Sequence, residues 1–169
     1  AGVVGDIEGH FEYALGEDGE FGETIPKATD AKTYKVGYMF VSEDGGYSSS
    51  DPVYISVTIA KKKVTVEWGE TTLTYNGTSQ APTATLNGVV TGDDVKASVT
   101  GHQTVVGSNF TAIASLTGTK KENYVISGEN TTTYSIIPSG VDDYIVPTAK
   151  ENLIYNGSDQ ELVTAGVAG

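Results

Sequence analysis

The chain has 169 residues and a formal net charge of -12, and it contains no cysteine. This length suffices for one ordinary domain or two small ones. The lack of cysteine excludes disulfides, thiolate zinc sites and cysteine nucleophiles, and the acidity disfavours binding to nucleic acid or anionic membranes. No stretch approaches the roughly 18 apolar residues of a membrane span, so membrane insertion is not expected.

Alternating apolar and polar residues predict β-strands along the chain. The clearest runs, in chain order, are residues 33–40, 53–59, 64–68 and 132–137. A period of two gives each strand one apolar face toward a core. Asn-Gly pairs at residues 76–77 and 156–157 favour tight turns between strands. Because no segment shows helical spacing of apolar residues, we predict an all-β protein with very little helix.

The sequence also repeats itself. Residues 73–80 (LTYNGTSQ) return as residues 153–160 (LIYNGSDQ), an offset of 80 (153 − 73). Tyr47 matches Tyr124 at an offset of 77 (124 − 47), and Ile59 matches Ile137 at an offset of 78 (137 − 59). Ordered matches at similar offsets predict an internal repeat of about 80 residues.

This repeat divides the chain into three parts. Residues 61–138 hold one complete unit, and residues 1–60 hold the C-terminal part of a unit. Residues 139–169 hold only the opening strands of a further unit. We therefore expect the chain to be a two-repeat segment of a longer tandem array, and this segment begins in the middle of a unit.

Five short motifs follow one another through the central unit: residues 73–80, Ala81-Pro82-Thr83, Gly92-Asp93-Asp94-Val95, residues 106–112 and residues 122–126. This series resembles the MBG-type, Ig-like tandem repeats of bacterial cell-surface adhesin-like proteins. Residues 152–166, together with residues 11–15 and 25–34, are similar to a sister type of the same repeats.

The resemblance implies tandem Ig-like β-sandwich repeats and an extracellular location on a bacterial surface. A β-grasp-like arrangement stays open, because periodicity does not reveal strand order. The implied role is a structural stalk or spacer that carries an adhesive tip away from the cell. The alternative is a binding module for a host glycoprotein or glycan, in which an exposed Trp68 would stack on a sugar ring; packing in the core is the other interpretation of Trp68.

A unit that lacks its opening strands exposes unpaired strand edges. We predict that residues 139–169 of one molecule complete residues 1–60 of another by β-strand addition. The partners are then neighbouring repeats or copies of the chain itself, and folding back within one chain is the alternative. The assembly residues that we expect are Leu153, Ile154, Tyr155, Leu162 and Val163.

The remaining polar motifs give no catalytic set. His10 and His102 are isolated in sequence, and neither a nucleophile elbow nor a His-Glu-x-x-His motif is present, so we expect neither an enzyme nor a cofactor. The pairs Asp93-Asp94 and Asp142-Asp143 are candidate calcium ligands without EF-hand spacing, with solvated turn carboxylates as the other interpretation. Lysines 61–63 are typical of a guarded strand edge.

Overall fold

The computed structural model describes residues 7–140 and 144–167, so Asp142 and Asp143 lie outside the described residues. The strands are β1 Gly9–Leu15, β2 Thr33–Ser42, β3 Val53–Thr58, β4 Lys62–Trp68, β5 Thr72–Thr74, β6 Ala84–Asn87, β7 Lys96–Thr100, β8 Gly107–Thr117, β9 Tyr124–Ile126 and β10 Thr131–Ile137. Over these ranges the only helical turn is the short 3₁₀ segment Lys121–Asn123. The all-β prediction is confirmed, and no helix of the described part could cross a membrane.

The first three strands form an antiparallel sheet in the order β1-β2-β3. Opposed residues point to the same face, so the pairs Leu15↔Val36 and Val36↔Ile55 place three apolar side chains side by side. Leu15 and Ile55 on this face are exposed. The other face is covered near Gly37, where a Cβ would meet the Phe21 ring at 3.0 Å.

The remaining strands form two sheets, in the orders β5-β10-β8-β7 and β6-β4-β9. Their side chains meet in two core clusters. One cluster joins Val64 and Tyr124 to Leu116 on the other sheet. The second joins Tyr134 and Ile136 of β10 with partly buried residues that include Trp68 of β4. Residues 61–138 are therefore a two-layer β-structure with a shared interior.

Strand β4 occupies the middle of its sheet, with β6 on one side and β9 on the other. Lys62 and Lys63 pair with β9 on one side, whereas the pairing with β6 begins only at Thr65, so among the described residues this end of β4 is paired on one side, and the interpretation of lysines 61–63 as guards of a strand edge stays a prediction. Lys61 lies just before the strand, and its Nζ is 3.4 Å from a carboxylate oxygen of Glu122.

Residues 144–167 form a loose antiparallel pair of chain segments. Ile145 and Val167 oppose each other and exchange backbone hydrogen bonds at 2.9 and 3.1 Å. Nearer the turn, Ala149 opposes Val163. This hairpin packs few of its side chains, since most of its residues are exposed.

Candidate assembly surface

Two of the three Asn-Gly pairs of the chain, Asn76-Gly77 and Asn156-Gly157, form turns with the same internal hydrogen bonds. In the turn of residues 74–80, the Asn76 side chain accepts from the Thr78 amide at 2.9 Å, and the Gln80 side chain donates to the first carbonyl of the turn at 2.9 Å. The turn of residues 154–160 makes the corresponding bonds at 3.0 and 2.8 Å. The sequence match therefore extends to local geometry.

The segments that flank these turns are also paired alike. The Thr65↔Asn87 pair and the Gly69–Thr83 contact of the central unit have their counterparts, 80 residues later, in the bridges Ile145↔Val167 and Ala149↔Val163. Residues 144–167, which we call the donor hairpin, thus repeat the strand pairing of residues 64–87. The difference between the two hairpins lies in what covers them.

Corresponding positions differ sharply in burial. Val64 is 1% exposed, whereas Tyr144, 80 positions later, is 57% exposed. Pro82 is buried, whereas its counterpart Leu162 is 70% exposed. All the predicted assembly residues are exposed, namely Leu153, Ile154, Tyr155, Leu162 and Val163. The donor hairpin therefore presents apolar side chains without a second layer.

Among the described residues, the first sheet has no strand in the position that β5 takes in the central unit. Its strands β1-β2-β3 correspond to β7-β8-β10 of the central unit, where β5 adds to β10 in parallel. Strand β3 takes the place of β10, and among the described residues only β2 pairs with it. All six residues of β3 are exposed. We call the outer side of β3 the acceptor edge.

The strand pairing aligns the first sheet with the central unit at offsets of 76 and 77. Tyr34 opposes Val57 just as Phe110 opposes Tyr134. Continuing along the strand, Ile59 corresponds to Ile136 and not to Ile137. The sequence match of Ile59 with Ile137 is therefore wrong by one residue, because two adjacent isoleucines offered equivalent partners.

A polar joint connects the first sheet to the central unit. The Ala31 amide donates to the Asn123 side chain at 2.7 Å, and the Asn123 side-chain nitrogen donates to Asp30 at 2.9 Å. Lys120 Nζ lies 3.3 Å from the same Asp30 oxygen. These hydrogen bonds, first from Asn123 and then from Lys120, lower the pKa of Asp30. Only residues 59–61 separate β3 from β4.

The sequence did not reveal a carboxylate cluster around His10, because Glu23 and Glu43, which join Glu12 there, are distant from His10 along the chain. Nδ1 of His10 lies 2.7 Å from Glu43, while Nε2 lies 3.6 Å from Glu12 and 3.8 Å from Glu23. The hydrogen bond to Glu43 is the main cause that raises the pKa of His10. The cluster ties β1 to two neighbouring segments when the imidazole is protonated.

The calcium and sugar candidates of the central unit have internal partners. The Tyr124 hydroxyl donates to Asp93, and the Thr119 amide donates to Asp94 at 3.2 Å. No group of three or more metal-ligating side chains occurs in the described ranges. Trp68 is half-buried against the core cluster of Tyr134 and Ile136, and its indole nitrogen is buried. The part of Trp68 that is not packed on the core lines a surface cavity with Thr65, Thr131 and Thr132.

Neither models of protein families, nor curated proteins, nor solved structures match the chain.

Proposed function

We propose that the chain is a structural stalk or spacer of a bacterial surface or secreted adhesin-like protein, built from Ig-like repeats of about 80 residues. Two observations support the repeat and its architecture. The Asn-Gly hairpins share hydrogen bonds and opposed pairs at an offset of 80. The complete unit has two facing sheets, which favours an Ig-like sandwich over a β-grasp arrangement.

The polar joint is the observation that carries the spacer role. A spacer holds its tip at a fixed distance only if neighbouring units keep a fixed angle to each other. Here Asp30 accepts hydrogen bonds from both Asn123 and Lys120, and the Ala31 amide donates a further hydrogen bond to the Asn123 side chain. A linker of residues 59–61 leaves little slack between the units. Single exposed ion pairs stabilise little, but several bonds converging on one short junction restrict its angle.

The distance between the two units tests this role. The chain has no cysteine, so Ser56→Cys and Ser98→Cys introduce one spin label on the first sheet and one on the central unit. Pulsed electron resonance then measures the label distance in chains diluted with unlabelled protein, so that only intramolecular distances contribute. We expect a single narrow distribution.

Variants of the joint make the measurement specific. Asp30→Ala removes the shared acceptor and should broaden the distribution, whereas Asp18→Ala, at an exposed carboxylate on another loop, should leave it narrow. A distribution that is broad in the unchanged chain would contradict the spacer role, since units that swing freely do not hold a tip at a distance.

A further inference from the structure

We propose that residues 151–155 of the donor hairpin add as a parallel β-strand to the acceptor edge of β3 in a second copy of the chain. The inference goes beyond the proposed spacer function, because the joint can be rigid with or without such assembly. It follows from a strand pairing that the central unit already makes within itself.

The template is the addition of β5 to β10. Leu73 opposes Ile136 in this parallel pair, and Ser135 opposes Thr72. At one end the Ser135 amide donates to the carbonyl of Thr71 at 2.9 Å, and at the other the Tyr75 amide donates to the carbonyl of Ile137 at 2.9 Å. The added strand is thus held by main-chain bonds at both ends.

Applying the offsets of the repeat to this pairing predicts which residues of the donor hairpin oppose which residues of the acceptor edge. Positions of β5 move by 80 residues and positions of β10 by 77, so Asn152 opposes Thr58 and Leu153 opposes Ile59. The Thr58 amide then donates to the carbonyl of Glu151. At the other end, the Tyr155 amide donates to the carbonyl of Ala60.

The hydrogen-bonding groups at the end of β3, and in Ile59 and Ala60 that follow it, point the right way for this partner. The Ile59 amide donates to the carbonyl of Lys32 at 3.1 Å, on the side of β2. Backbone groups of successive strand residues alternate between the two sides. The amide of Thr58 and the carbonyl of Ala60 therefore face the open edge, where the translated register needs them.

The side chains are complementary as well. Leu73 packs against the cluster of Tyr134 and Ile136, and Leu153 would meet Val57 and Ile59 at the corresponding positions. Val57 is 45% exposed and Leu153 is 43% exposed, so both lose apolar surface to water on pairing. Asn152 has a φ of 62°, a left-handed conformation that interrupts the segment where its counterpart Thr72 enters β5. Docking straightens the chain at this residue.

A second copy fits better than the other occupants. The donor hairpin and the acceptor edge are different surfaces, so each copy can give one and receive one. Such a contact is heterologous and extends into rings or filaments. Within the described residues, the hydrogen bonds of the donor hairpin are all internal to it.

The test mixes two variants that each lack one half of the contact. In the first, Thr58→Pro removes the outward amide of the acceptor edge; this is tolerated because an outward-facing amide of an edge strand makes no ladder bond. In the second, Leu153→Asn with Tyr155→Pro removes the apolar side chain and the amide of the donor. Light scattering across a concentration series gives the molar mass.

Matched controls separate these groups from general damage. Thr58→Ala loses the same hydroxyl contact with Thr33 but keeps its amide, and Leu153→Met with Tyr155→Phe keeps both donor features. If Thr58→Pro fails to fold, Val57→Glu replaces it, since that exposed side chain is covered only after docking. The circular dichroism spectrum reports folding of the whole chain, the first sheet included, and fluorescence of Trp68 reports folding of the central unit.

We expect the unchanged chain and both controls to grow in mass with concentration, in multiples of 17.7 kDa. Each blocked variant should stay a monomer, and their 1:1 mixture should stop at a dimer. Continued growth of either blocked variant, or a monomeric mixture of folded variants, overturns the proposal. A monomeric unchanged chain also overturns it, and protection of its Thr58 amide from exchange would then indicate that the hairpin folds back within one molecule.

Discussion

The central unit and the parts that flank it contain similar residues at matching positions, but these residues differ in burial. Tyr124 in the central unit is 3% exposed, whereas Tyr47, at the matching position of the first part, is 59% exposed. Tyr124 lies between β4 and Val95 in a closed core and donates a hydrogen bond to Asp93. Tyr47 lies in the loop that follows β2, and neither core cluster of the described residues includes a residue of its sheet.

The comparison separates local structure from burial. Strands form in the first part and in the central unit, and turns form in all three parts, because alternation and Asn-Gly pairs act over a few residues. Residues 144–167 are paired only through the isolated bridges Ile145↔Val167 and Ala149↔Val163. Buried clusters form in residues 61–138, where the opening hairpin and the later strands occur in one unit, whereas Ala14 is the one buried hydrophobic residue among the described residues of the first part. Whether an apolar residue is buried therefore depends on what packs against its face, and not on its type alone.

The largest contrast is expected from truncating the centre of the core. Ile136→Ala removes a side chain that is 1% exposed and should destabilise the central unit by about 2–5 kcal/mol. Val57→Ala, in the exposed sheet, should leave that unit unchanged. Urea unfolding followed by Trp68 fluorescence measures the central unit alone, because Trp68 is the only tryptophan. An equal loss of unfolding free energy in the two variants would contradict the contrast between the central unit and the first sheet.

Leu73 and Leu153 are identical residues at matching positions of the repeat, so truncating each of them gives a more closely matched comparison. Leu73 packs against the core cluster, so Leu73→Ala should cost about 1–3 kcal/mol, within the range for a partly buried aliphatic side chain. Leu153→Ala removes the same atoms from the donor hairpin and should leave the unfolding midpoint in dilute solution unchanged. Both variants are compared with the unchanged chain in the same urea titration.

A buried hydroxyl gives a smaller contrast. The Tyr134 hydroxyl donates to the carbonyls of Gln80 and Gly101 at 3.0 and 2.8 Å, and burial raises its pKa. Tyr134→Phe should cost about 1 kcal/mol, the usual net value of such a bond. Tyr155→Phe, at a residue that is 91% exposed, should cost nothing measurable by thermal unfolding.

The smallest effect concerns the pH dependence of the first sheet. Glu43, and then Glu12 and Glu23, favour protonated His10 and raise its pKa above the ordinary value of 6.5. The stabilisation is therefore complete below pH 6.5 and is lost as pH rises through the raised pKa. In His10→Gln the loss of stability with rising pH should vanish. NMR titration of the His10 imidazole in the unchanged chain, and of the β1 amides in both proteins, checks the direction; a His10 pKa below 6.5 would contradict it.

The fold was predictable from the sequence where the determinants are local. Residues 33–40 and 132–137 became strands β2 and β10 because their alternation needs no distant partner. The joint at Asp30 and the cluster at His10 join residues far apart in sequence, and no motif announces them. The register of Ile59 was misread because Ile136 and Ile137 are equivalent as letters, and only strand pairing distinguishes them.

The most direct measurement asks whether the first part folds like the central unit once it receives an opening hairpin. A chain that carries a second copy of residues 139–169 ahead of residue 1 supplies that hairpin in place, and Leu153→Asn with Tyr155→Pro in the C-terminal copy blocks exchange between molecules. Amide hydrogen exchange by NMR then reports the Thr58 amide. We expect it to become strongly protected, together with new burial of Tyr47. A Thr58 amide that exchanges as fast as in the monomeric variant with a blocked donor would contradict the view that the flanking parts are two halves of the central fold.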